Sequence, residues 1–75
     1  MAGIRLEPVS GRICRVLDAA GQHVGNLKLI GGLWKFKAIG YDASGATIPG
    51  GGPLTGRHNT VFEQLDAADI GQRLG

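Results

Sequence analysis

The sequence predicts a small α+β domain, a three- to four-stranded antiparallel β-meander with one C-terminal helix packed on the Trp34 face. Three observations carry this expectation. Turn signals (Ser10-Gly11, Asp18-Ala-Ala-Gly21, Gly31-Gly32, Asp42-Ala-Ser-Gly45) punctuate the chain at intervals typical of antiparallel strands and too short for strand–helix repeats. Residues on both sides of Gly31-Gly32 alternate between apolar and polar with period two. Helix-start signals appear only toward the C-terminus.

Ile4 to Leu6 adds an edge strand, and residues 12–17 form the next. The register that keeps Arg15 out of the core puts Cys14 and Val16 beside Leu27, because burying an unpaired guanidinium costs far more than exposing it. Asp-Ala-Ala-Gly and the later Asp-Ala-Ser-Gly are near-repeats. In each, the carboxylate can accept backbone N–H groups and the glycine can turn to positive φ, so both are predicted as hairpin turns. One Asp apiece is too few for a calcium loop.

The hairpin centred on Gly31-Gly32 is the most closely determined element. A two-residue turn pairs Ile30 with Leu33, and counting outward then fixes the rest. Leu29 meets Trp34, Leu27 meets Phe36 and Gly25 meets Ala38 on one side, where Trp34 and Phe36 are expected as core and Gly25 leaves room for the helix. On the other side Lys28 faces Lys35, Asn26 faces Lys37 and Val24 faces Ile39. A slip of one residue would turn every side chain to the wrong face.

A fourth strand near Ala46 to Ile48 follows the second Asp turn. Residues 49–59, PGGGPLTGRHN, form a Gly/Pro-rich loop that is expected to be a flexible connector. Asp66 with Asp69 resembles a capping box, Leu65 and Ile70 can form its hydrophobic staple, and Ile70 and Leu74 share one helical face. Thr60 with Glu63 offers an earlier start, near Val61. Gly71 weakens the helix interior by up to about 1 kcal/mol.

Length excludes more than it assigns. Seventy-five residues make one small domain over 1–75, with an ordered core expected at 12–74 and no room for a cofactor domain beside a substrate domain. No cofactor is expected. Fourteen glycines exceed the usual ~7% share, and most are accounted for as turn residues. The single cysteine, Cys14, cannot close an internal disulfide. It sits in an apolar run, and is expected to be a buried inert thiol in a cytoplasmic protein. No segment has the length or apolarity of a membrane span. A core this small supplies no more than about 3–5 kcal/mol, so a homodimer is as well motivated as a monomer.

Eight Lys and Arg against six Asp and Glu give a net charge of +2, and position matters more than this total. The outer sheet face collects Arg15, Asn26, Lys28, Lys35 and Lys37, with Tyr41 at its end. Lysines directly opposite each other are mildly destabilising, and an anionic partner converts that cost into affinity. Nucleic acid is the usual such partner, since each neutralised phosphate releases counterions. Tyr41 can stack on a base. The competing expectation is a solvated face that keeps the sheet soluble and blocks edge pairing, on a protein-interaction or assembly module.

A second candidate is the trio Arg57, His58 and Asn59 after the glycines, as an anion or partner site. The phosphate-loop and dinucleotide-loop spacings are absent. Ser44 or Thr55 with His58 and Asp66 could be assembled into a nucleophile–base–acid set, but such combinations arise in any chain, and no enzymatic activity is expected. His23 and His58 lack further clustered ligands, so no metal site is expected. Three antiparallel strands followed by a helix, with a basic outer face and a Trp in a central strand, resemble in layout the plant AP2-type and integrase arm-binding DNA domains, over roughly residues 12–74. That resemblance implies a sheet that enters the major groove, and transfers no residue role.

Overall fold

The computed structural model describes residues 3–75. Strands β1 (Arg5–Pro8), β2 (Ile13–Leu17), β3 (His23–Ile30), β4 (Leu33–Tyr41) and β5 (Thr47–Pro49) follow one another, with a 3-10 turn at Thr55–Arg57, strand β6 (Val61–Phe62) and helix α1 (Ala67–Leu74) after them. All pairings are antiparallel in the order β1-β2-β3-β4-β5, and β6 also pairs with β4. The α+β class holds. The sheet has six strands among the described residues, where three to four were expected.

The β3–β4 hairpin has the register that a two-residue turn dictates: Ile30 with Leu33, Leu29 with Trp34, Lys28 with Lys35, Leu27 with Phe36, Asn26 with Lys37 and Gly25 with Ala38. Gly31 and Gly32 both take positive φ, 58° and 80°, as a primed turn demands. Strand β2 pairs as expected too, with Cys14 against Leu27 and Arg15 against Asn26. Both Asp turns close as their chemistry predicts. The Asp18 carboxylate accepts from the backbone N–H groups of Ala20 and Gln22, and that of Asp42 accepts from Ser44 and Ala46.

One register differs. Between Val16 and Leu17 the β2–β3 ladder shifts, so Val16 opposes Gly25 while Leu17 opposes His23. Val24 is the extra residue of a β-bulge, which re-aims side chains locally. It therefore enters the core, 1% exposed, and does not face Ile39 on the lysine side.

The second difference lies after the glycine loop. Val61 and Phe62 form a strand and do not begin the helix. The Phe36 N–H donates to the Thr60 carbonyl at 2.8 Å and the Asn59 N–H donates to the Phe36 carbonyl at 2.7 Å, so this segment is tied to β4. The Thr60 hydroxyl, available for a helix cap, donates to the Arg57 carbonyl at 2.6 Å. The helix starts at Asp66, whose carboxylate accepts from the N–H groups of Ala68 and Asp69 at 3.0 and 3.3 Å.

The core consists of Cys14, Val16, Val24, Leu27, Phe36, Ala38, Phe62, Ile70 and Leu74, with Ile4, Leu6, Trp34 and Leu54 packed at its margin. Phe36 is its fully buried aromatic centre and Trp34 is half-buried, whereas both were expected inside. The Phe36 ring occupies the place a Cβ at Gly25 would take, so that glycine makes room for a side chain on the next strand and not for the helix. Gly71 is the close-approach glycine of α1: a Cβ there would meet Ile4 at 3.2 Å. Arg73 holds α1 to β6, its guanidinium 4.4 Å from the centre of the Phe62 ring and donating to the Val61 carbonyl.

The Gly/Pro-rich loop is pinned where a flexible connector was expected. Along β4, Phe36 bonds to the segment before β6 and Gly40 pairs with β5, which leaves the polar groups of Ala38 between them. The loop closes that gap. The Ala38 N–H donates to His58 Nδ1 at 3.0 Å, and the Ala38 carbonyl accepts from the Gly50 N–H at 2.7 Å. Gly52, at φ 84°, lies so close to β4 that any Cβ would strike the Ile39 carbonyl.

Candidate functional site

Three rows of side chains cross the sheet face opposite the core. The first is Glu7, Arg15, Asn26 and Lys37, on β1 to β4. The second is Ile13, Lys28, Lys35 and Val61, on β2, β3, β4 and β6. Ile30 and Leu33 make a third at the hairpin end. Because side chains alternate along each strand, the burial that draws Leu27, Phe36 and Cys14 inward drives these residues outward.

The rows differ in how their charges are met. In the first, Arg15 Nη1 lies 2.8 Å from Glu7 Oε1, an exposed ion pair, and Lys37 Nζ donates to Asn59 Oδ1 at 2.7 Å. In the second, Lys28 and Lys35 face each other with Ile13 and Val61 as the other members of the row, and neither makes an ion pair among the described residues. Glu7 is the one acid of these rows. Glu63, Asp66 and Asp69 lie in the segment that leads into and along α1, where they line one cavity with Val61 and Arg73 at the end of the second row. The rows themselves thus carry Arg15, Lys28, Lys35 and Lys37 against Glu7 alone.

That face is also partly apolar, which the charge pattern does not reveal. Ile30 is 52% exposed, Leu33 41%, Ile13 37% and Val61 37%. Ile13 and Val61 flank the lysine pair only because β2 and β6 bring them there, so local alternation around the hairpin gives no sign of them.

At the far end of β4, the His23 ring joins Tyr41 to Asn26. Nδ1 lies 2.7 Å from Tyr41 Oη and Nε2 lies 2.9 Å from Asn26 Oδ1. With Nε2–H donating to Asn26, Nδ1 accepts from the Tyr41 hydroxyl. The two rings are 6.0 Å apart and tilted by 52°. Tyr41 and Asn26 were expected on this face. His23 was not, because the bulge at Val24 sets which way it points.

The trio Arg57, His58 and Asn59 does not converge on one point. His58 Nδ1 accepts from Ala38, Asn59 accepts from Lys37, and Arg57 is exposed in the 3-10 turn. Asn59 alone of the three reaches the outer face. The possible nucleophile–base–acid set is likewise dispersed: Ser44 Oγ donates to Asp42, Thr55 Oγ1 donates to the Gly50 carbonyl and Asp66 caps α1. Among the described residues no cluster of three His, Cys, Asp or Glu could hold a metal, and no helix is long and apolar enough to cross a membrane.

Two groups have displaced proton affinities. Burial pushes the Cys14 thiol above its ordinary value, with the nearby Glu7 charge adding in the same direction. The Ser44 hydroxyl, and then the backbone N–H groups of Ala46 and Ser44, hold the Asp42 carboxyl below its ordinary value. Neither lies among the Lys28 and Lys35 rows. Comparison with known protein families, with curated proteins and with solved structures finds no match to this chain.

Proposed function

We propose that this chain is a small non-enzymatic binding module that takes nucleic acid on its outer sheet face. Lys28 and Lys35 contact phosphates, Arg15 and Lys37 reinforce them, and Asn26 and Tyr41 reach the bases. The observation that carries this proposal is the lysine pair itself, directly opposed and without a carboxylate in its row. Such a pair costs up to roughly 1 kcal/mol on a free sheet. A polyanion removes the repulsion and gains counterion release at each phosphate. We propose a cytoplasmic location as well, because a lone buried thiol suits a reducing compartment.

Binding of labelled oligonucleotides at low salt, followed by fluorescence anisotropy, tests the proposal. The double substitution Lys28→Glu with Lys35→Glu removes binding while the circular dichroism spectrum stays native. Equal binding by the double variant would refute it.

A second reading has its own support. Ile13, Ile30, Leu33 and Val61 are exposed on the same face, as on a protein-interaction or assembly module. It predicts twice the monomer mass by light scattering, or capture of a partner, with no affinity for nucleic acid.

A further inference from the structure

We infer that the nucleic acid this face accepts is single-stranded. The inference rests on the proposed function and adds the class of ligand, an unpaired polynucleotide strand laid across the open sheet.

Width argues against insertion into a duplex. Five strands, β1, β2, β3, β4 and β6, lie side by side, and at ~4.8 Å per neighbour they span roughly 19 Å of backbone. The major groove is about 12 Å wide and admits a helix or a two-stranded ribbon. This also departs from the groove-entering layout that the three-strand resemblance implies.

Surface chemistry argues the same way. A duplex presents phosphates outward and keeps its base faces stacked inside, so Ile13, Ile30, Leu33 and Val61 would meet little apolar surface beyond thymine methyl groups in the major groove. An unpaired strand exposes those base faces. Beside the aliphatic residues stand Lys28 and Lys35, set to take the phosphates that alternate with the bases.

The Tyr41–His23 pair supplies the aromatic element. Tyr41 is 47% exposed, and its hydroxyl is held by His23, so its ring is oriented before any ligand arrives. Single-strand binders combine such stacking rings with a cationic track. From Leu33 to Tyr41 the track runs the length of β4, roughly 26 Å at ~3.3 Å per residue. Along it a strand meets the aliphatic pair, the lysines, the Arg15–Asn26–Lys37 row and the aromatic pair in turn.

Anisotropy titrations with oligothymidylate, oligouridylate and a duplex of mixed sequence, each at the same low salt, test the inference on the unaltered protein. Either single strand should bind at least about tenfold tighter than the duplex, and the two arms show which of the two strands is preferred. Tyr41→Leu should weaken single-strand binding about tenfold, and Tyr41→Phe should retain most of it because the ring remains. A duplex bound as tightly as the single strands overturns the inference and leaves the nucleic-acid reading standing. No binding to any of the three overturns that reading as well.

Discussion

Lys28 and Lys35 stand directly opposite each other on β3 and β4, with Ile13 and Val61 as the other members of their row. A free protein gains nothing from this placement. Changing Lys35 alone to Glu makes a cross-strand ion pair, and is expected to raise stability by a few tenths to about 1 kcal/mol. The same change should weaken nucleic-acid binding. Urea denaturation and anisotropy on one variant therefore move in opposite directions, and a variant that loses stability and affinity together would count against a functional role.

His58 is expected to matter for stability and not for binding. Its Nδ1 is the acceptor for the buried Ala38 N–H at 3.0 Å. His58→Ala strands that donor, at a cost of about 1–3 kcal/mol. Affinity measured where the variant is fully folded should match the unaltered chain. A selective loss of affinity would restore the Arg57, His58 and Asn59 loop as an anion site.

The glycines of the loop should separate sharply. Gly52→Ala meets both a left-handed backbone and the Ile39 carbonyl, and is expected to destabilise by more than about 1 kcal/mol. A Cβ at Gly56 meets nothing within 4 Å, so Gly56→Ala should be neutral or slightly stabilising. Thermal melts of the two variants compare them directly.

Acid and base should act through different residues. Asp42 is held low by the Ser44 hydroxyl and the turn amides, so its contribution is present above the ordinary carboxyl range and is lost as pH falls through its depressed value. Ser44→Ala should reduce that acid sensitivity in pH-dependent melts. Cys14 is pushed up by burial, so its contribution is present below the ordinary thiol range and is lost as pH rises through its raised value. Thiol-reagent labelling at mildly alkaline pH should be slow in the native protein and fast after unfolding.

How far the fold was legible depended on the range of each determinant. Gly31-Gly32 and the alternation around it are local and mutually consistent, so the β3–β4 register, and with it the Lys28–Lys35 opposition, follows from counting. The Asp18 and Asp42 turns are local as well. Val24 and His23 were not legible, because a single-residue bulge reverses which of them faces the core and no turn residue marks it. Strand β6 eluded the sequence for a different reason: two residues carry no periodicity, and Val61 and Phe62 are placed by the bonds joining Thr60 and Asn59 to Phe36, far back in the chain. The cationic half of the outer face was therefore foreseeable. Of its aliphatic residues, Ile30 and Leu33 follow from the hairpin, whereas Ile13 and Val61 depend on where β2 and β6 come to lie.

The most direct test of the central claim is the salt dependence of single-strand binding. Each phosphate contact contributes about −0.7 to the slope of log K against log salt. Replacing Lys28 and Lys35 together with Ala should make that slope shallower by about 1.4, with circular dichroism unchanged. A slope that stays the same in the double variant would show that the strand binds elsewhere, and would contradict the assignment of this face.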